Sequence, residues 1–157
     1  GPVVDKMAQT GNRDRFKFGK PNIPGLDYSF SGLKTSFLYF LRDNLKESNT
    51  FVQDNLNDLC ASLQSEIVTI LLDKLKKAVK MTGITEIAIS GGVSANSELR
   101  NRLTDEGMRN GWTVHLPKFK YTTDNAAMIA LIGYFKFING VKDNLDIVPQ
   151  ARLDFNS

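Results

Sequence analysis

Between positions 85 and 102 the chain reads TEIAISGGVSANSELRNR, and this stretch limits the fold more than any other. Its first part, Glu86-Ile87-Ala88-Ile89-Ser90, is short, β-branched and apolar, the pattern of a buried strand. Gly91-Gly92 then admits backbone conformations closed to residues with a Cβ and lets a ligand approach the main chain. From Ser94 onward the pattern is helical, with Leu99 and Leu103 on one face and Arg100 and Arg102 on another. Ser94 or Asn96 can cap the helix start. Strand, glycine pair and capped helix together predict an α/β fold with a nucleotide or anion site at the turn, because free N–H groups and the helix dipole face it. The same glycine pair serves turn geometry alone in many α/β proteins, and local pattern does not separate the two.

Length and composition narrow the classes. A chain of 157 residues, 41% apolar and 24% charged, suits one ordinary globular domain with a real core. A net charge of +3 is too small to argue nucleic-acid binding by itself. Cys60 is the only cysteine, so no disulfide forms within the chain, and a reducing, cytoplasmic compartment is expected. It reads as a small core residue. The apolar run 126–135 is far shorter than the ~20 residues of a membrane-spanning helix, and no signal peptide opens the sequence.

Taken in order, residues 1–27 form a lead-in broken by Gly11, Gly19, Pro21, Pro24 and Gly25, with a short helix over 5–10 and an extended piece at Phe16 and Phe18. Residues 28–83 hold a strand and a helical insertion. Asp27-Tyr28-Ser29-Phe30-Ser31 alternates as a strand does and ends at Gly32, before a helical run marked by Phe37, Leu38, Leu41 and Leu45. Gly32-Leu33-Lys34-Thr35 lacks the glycine spacing of a phosphate loop, which leaves Lys34 structural or at a ligand's edge. From 54 to 82 apolar residues recur at helical intervals, and Gly83 ends the helix. Lys74, Lys76, Lys77 and Lys80 crowd its last turns and read as a solvated, dipole-complementing end.

Residues 84–140 form the βαβα core. Within it, Trp112-Thr113-Val114-His115-Leu116-Pro117 is a short strand, and His115 is a poor zinc or triad candidate. Met128, Leu131, Ile132 and Phe135 mark a last helix, capped by Thr123 with Asp124 in its first turn. Asp124 is thereby either a capping carboxylate or a metal or substrate contact. Residues 141–157 read as a polar tail.

The motifs Ser90-Gly91-Gly92-Val93-Ser94-Ala95-Asn96-Ser97-Glu98-Leu99-Arg100, Asp124-Asn125-Ala126-Ala127-Met128-Ile129-Ala130, Phe30-Ser31-Gly32-Leu33-Lys34-Thr35 and Gly1-Pro2-Val3-Val4-Asp5 together resemble the TsaD family, also called Gcp or YgjD. Its members are the tRNA N6-adenosine threonylcarbamoyltransferases, and the resemblance is to their C-terminal half. It implies an actin-like fold of the sugar-kinase and Hsp70 type (ASKHA), here its second lobe with a helical insertion. The implied activity transfers the threonylcarbamoyl group of threonylcarbamoyl-AMP to the adenosine beside the anticodon in tRNAs that read codons starting with A.

Matched motif by motif, the resemblance makes Gly1 and Asp5 contacts to the nucleotide ribose or substrate and Asn96 an adenylate contact. Gly91 and Gly92 become the phosphate side of the same cleft, and Asp124 a ligand of one divalent metal, iron or alternatively zinc. It further implies tRNA as substrate, ATP or AMP as related nucleotides, TsaB and TsaE as partners, and no membrane. The family's two metal-binding histidines belong to a His-x-x-x-His motif that this chain lacks. The chain alone is therefore expected to be a folded but catalytically incomplete lobe. Two other readings follow the same residues: a lobe of an actin-like ATPase or small-molecule kinase, and a non-catalytic helical interaction module.

Overall fold

The computed structural model describes residues 1–20 and 23–148, so the end of the predicted tail lies outside the described residues. Two compact units are present, Gly1–Thr122 and Thr123–Ser157. The first contains α1 (Pro2–Ala8), α2 (Ser31–Glu47), α3 (Phe51–Asp54), α4 (Leu56–Thr82), β1 (Glu86–Ala88), α5 (Ser97–Asn110) and β2 (Thr113–His115). The second contains α6 (Ala126–Ile138). This is an α/β chain of mostly helices with a small parallel sheet.

The first unit is built around α4. Its 27 residues run from Asn55 to a left-handed stop at Gly83 (φ 72°), as the apolar spacing predicts. One of its sides packs Val68 and Leu72 against Ile87 of β1 and Leu99 and Leu103 of α5. The other packs Ile70, Leu63 and Ile67 against Leu33, Phe37 and Phe40 of α2 and against Phe16 and Phe18 of the lead-in. Phe18 meets Phe37 and Phe40 edge-on, with ring centroids 5.1 and 5.3 Å apart, a geometry that suits aromatic quadrupoles. α4 is buried on both sides, which is why its hydrophobic positions outnumber a single stripe.

β1 and β2 pair in parallel, Ile87 opposite Val114, with α5 as the crossover between them. The predicted buried strand proves shorter and only half covered: Ile87 is buried, while Glu86 and Ala88 are exposed. The helices cover one face of this two-stranded sheet, and alternation sends those neighbours to the other. Exposed His115 sits with Nε2 2.9 Å from Glu86 Oε1, a surface pair.

Several expectations need correction. Residues 27–30 form no strand; among the described residues no third strand pairs with the sheet, and Tyr28 and Phe30 instead stack on each other at 6.3 Å. The first helix begins at Pro2, not Asp5, since proline suits the first helical position, where no N–H is needed. Lys34 is exposed in the first turn of α2. Cys60 is only half-buried, and burial pushes its thiol pKa up. The lysines at the end of α4 are not all solvated: Lys74 Nζ donates to Ile23 O (2.6 Å) and Gly25 O (2.9 Å), and Lys76 Nζ to Glu106 Oε1 (2.6 Å).

Though rich in helix breakers, the lead-in is clamped. Asp58 of α4 accepts from Asn12 N (2.7 Å) and Arg15 Nη1 (2.9 Å), and Ser62 Oγ lies between Asn12 O and Phe16 N (both 3.2 Å). A side chain at Gly11 would collide with Asn57 O, so glycine is what lets this strap lie against α4. In the second unit, α6 is apolar on nearly all sides, with Lys136 its only charge, and none of its residues is buried. No helix among the described residues is long and apolar enough to cross a membrane.

The hydrogen bond from Lys76 holds the Glu106 carboxyl below its usual pKa, against a smaller opposing push from burial. A carboxyl depressed in the folded state adds stability above its unfolded pKa of about 4.3 and loses it as pH falls through the folded value. Glu106→Gln is therefore predicted to lower stability at pH 7 by roughly 0.5–1 kcal/mol, the scale of a partly exposed pair. Urea midpoints should show that difference vanishing as pH falls below about 4; an unchanged difference at acid pH would contradict it.

Candidate functional site

Asp5 projects from the short helix α1 onto the N-terminus of α5. Its Oδ1 accepts from Ser97 Oγ (2.7 Å), Gln64 Nε2 (3.0 Å), Asn96 Nδ2 (3.2 Å) and Ser97 N (3.3 Å), and its Oδ2 accepts from Ser97 N at 3.1 Å. Ninety-one residues apart in sequence, Asp5 and Asn96 meet in space. A carboxylate is favoured at a helix N-terminus by its unsatisfied amides and dipole. Here that anion is the protein's own.

This changes the expected anion site. Of the amides at the start of α5, Ser97 N binds Asp5, and Leu99 N binds the cap oxygen Asn96 Oδ1 at 2.9 Å. Asn96, not Ser94, is the cap, and α5 starts at Ser97 because 92–95 close instead as a tight 3-10 turn. Both Asn96 Nδ2 hydrogens have acceptors, Asp5 Oδ1 and Gln64 Oε1 (2.8 Å), so its unused capacity is the second lone pair of Oδ1. On Asp5, the less engaged oxygen is Oδ2.

Gly91 adopts φ 74°, ψ 179°, a region reserved for glycine, and the space beside both Gly91 and Gly92 is open. That turn is shaped from within. Ser94 Oγ donates to Gly91 O (2.6 Å), and Arg100 holds it from α5, donating from Nη1 to Ser94 O (2.7 Å) and from Nη2 to Pro117 O (2.8 Å). The Arg100 guanidinium also lies over Phe119, 4.4 Å from the ring centroid. Gly1 is the N-cap residue of α1, and its carbonyl accepts from Asp5 N at 3.0 Å.

Asp124 lies in the second unit, exposed and directly before the N-cap of α6. That cap is Asn125, whose Oδ1 accepts from Met128 N (3.2 Å), not the predicted Thr123; the capping amide sits closer to the helix than the hydroxyl does. The described residues do not compose a metal centre: nowhere among them do three or more His, Cys, Asp or Glu side chains come together to hold an ion.

Beside the Asp5 network a cleft of about 300 Å³ is lined by Gln9, Arg13, Gln64, Ser97, Glu98 and Asn101 among others. That is the small end of ligand-site volumes. No residue predicted from sequence lines it, while Gln64 and Ser97, which hold Asp5, do. Ser97 and Arg100 stand in the glycine-turn motif without a role assigned from sequence, and Gln64 stands outside every motif. The available signal was Gln64 itself, an amide falling between the apolar turns of a long helix.

Comparison with known proteins decides the family. The family model described as "TsaD: tRNA N6-adenosine threonylcarbamoyltransferase" matches residues 1–131. The chain belongs to the TsaD family. A curated relative named tRNA N6-adenosine threonylcarbamoyltransferase from Phocaeicola vulgatus is 55% identical over 153 residues, covering 98% of this chain and 45% of the relative. Proteins of the same name from Porphyromonas gingivalis and Riemerella anatipestifer are 53% and 50% identical, over 98% and 99% of this chain and 45% and 46% of their own lengths. The chain thus spans about half the length of the curated relatives it matches.

Arg100 is predicted to hold the TsaD turn through its planar fork, which lysine cannot reproduce. Arg100→Lys should lower stability by about 1–3 kcal/mol, as loss of charge-assisted bonds does, and speed hydrogen exchange at the Ser94 amide. A variant with wild-type urea midpoint and Ser94 protection would contradict this.

Proposed function

We propose that this chain is the C-terminal half of a tRNA N6-adenosine threonylcarbamoyltransferase, the second lobe of an actin-like ATPase fold with a helical insertion. The observation that carries the reading is the family match over residues 1–131 together with relatives of that name at 50–55% identity. In the proposed reaction the exocyclic amine of an adenosine beside the tRNA anticodon attacks the carbamoyl carbon of threonylcarbamoyl-AMP. The carbon–oxygen bond to phosphate breaks, AMP leaves, and the amine loses its proton. An adenine amine is a weak nucleophile because its lone pair is delocalised into the ring, so the mixed anhydride's good leaving group is what makes the transfer feasible.

In this reading Gly1, Asp5 and Asn96 bind the adenylate, and Gly91 and Gly92 pass beside its phosphate. The remaining lone pair of Asp5 Oδ2 suits a ribose hydroxyl, and open space at the glycine turn suits a phosphate; both support the assignment. Asp124 is proposed as one ligand of a divalent metal, iron or zinc, whose other ligands come from outside these 157 residues. TsaB- and TsaE-like proteins are the proposed partners and the cytoplasm the proposed compartment.

Co-expressed with the N-terminal half that its relatives carry, and given threonylcarbamoyl-AMP and unmodified tRNA, the chain is predicted to yield threonylcarbamoyladenosine by nucleoside mass spectrometry. Asp124→Ala should remove most of that product, and the chain alone should make none. An assembled pair that binds nucleotide yet makes no product would overturn the transferase reading in favour of a kinase-like ATPase.

A further inference from the structure

Gln64 makes two bonds that fix its side chain in one orientation. Its Nε2 donates to Asp5 Oδ1 at 3.0 Å, and its Oε1 accepts from Asn96 Nδ2 at 2.8 Å. Rotating the amide by half a turn would set oxygen against a carboxylate oxygen and NH2 against NH2. Neither pairing is tolerable, so the chemistry of the neighbours dictates which end is which. Gln64 as a residue is 8% exposed, and its side chain reaches from α4 to residues on α1 and at the start of α5.

We propose that Gln64 is the positioning residue of the adenylate site: its amide holds the Asp5 carboxylate and the Asn96 carboxamide in the one arrangement that leaves Asp5 Oδ2 and one Asn96 Oδ1 lone pair for ligand. The proposal rests on the site assignment made above. With Gln64 engaged, Asp5 Oδ1 is crowded with donors and Oδ2 has a single one, so the carboxylate cannot rotate without breaking several bonds at once. Asn96 is likewise committed by its cap to Leu99 N on one side and by Gln64 and Asp5 on the other. Gln64 therefore carries the rigidity of a 27-residue helix into the position of both groups.

The test changes the charge of Gln64 while keeping its shape. In Gln64→Glu a carboxylate faces Asp5; two such groups in contact cannot both ionise freely and come to share a proton as pH falls. Charged groups on the elements packed around Gln64 include Lys6 of α1, Arg13 after it, Asp58 and Glu66 of α4, Glu98 of α5, 3.5 Å from Arg13, and Arg102 of α5, which reaches Ser65 O on α4 at 3.2 Å. They are common to every variant. Gln64→Met removes the bonds without adding charge.

AMP affinity, and KM and kcat for threonylcarbamoyl-AMP, would be measured from pH 5.5 to 8 on the chain assembled with the N-terminal half of its relatives. The proposal expects Gln64→Glu to weaken AMP binding on the order of tenfold at pH 7.5 and to recover most of it by about pH 5.5, as the shared proton restores a donor. Gln64→Met should be weak at every pH, with KM raised more than kcat is lowered. Each variant is read as its ratio to wild type at the same pH, because the AMP phosphate itself titrates at about pH 6. If both variants bind AMP as wild type does at all pH values, whatever their melting temperatures, Gln64 is a structural residue only and the proposal fails. If assembled wild type binds no adenine nucleotide, the site assignment fails and takes the positioning role with it.

Discussion

A carboxylate set against a helix N-terminus holds this structure together. Asp5 would be costly to bury without donors, and the fold supplies them from a helix N-terminus, a serine hydroxyl and two amides. In exchange the bonds tie α1, α4 and α5 at a single point. Charge-assisted bonds of this kind contribute about 1.5–3 kcal/mol each when well formed, and removing the carboxylate would leave several partly buried donors without their acceptor at once. The short helix α1 has no fully buried residue; it lies along α4, and the Asp5 bonds fix where it sits there.

α4 sets the distances. It is flanked on one side by α5 and the parallel pair, and on the other by the aromatic cluster of α2 and the lead-in. Buried polar groups along it, Ser62, Gln64 and Glu66, each meet a group from the lead-in or from α1. The polar residues of α4 thus decide where the lead-in segment lies, and the apolar ones supply the cohesion. Such a division lets one rigid helix carry both a core and the support of the Asp5 network.

Much of this was legible in the chain. The long helix and its stop at Gly83, the β-turn-helix unit around Gly91-Gly92, the strand near Val114 and the apolar final helix follow from spacing and from glycine chemistry. The motifs also pointed to the TsaD family, which the comparisons bear out. Long-range partners were not legible. Nothing in local sequence says that Asp5 will occupy the N-terminus of α5 ninety-one residues later, or that Lys74 will hold the carbonyls of Ile23 and Gly25. The alternating stretch 27–30 failed as a strand because a strand needs a neighbour, and periodicity describes only the chain's own half of that pairing. The cap of α6 was missed because Thr123 and Asn125 are both good caps, and choosing between them takes backbone geometry.

The most direct test of the central claim, that Gln64, Asn96 and Asp5 form one locked network at the proposed nucleotide site, is NMR of the side-chain amides of Gln64 and Asn96. In the protein without nucleotide their NH2 protons should be shifted from solvent-exposed values and slow to exchange, and AMP added to the assembled protein should move both sets together. Amides exchanging at the rate of free glutamine and asparagine, and unmoved by AMP, would contradict the account.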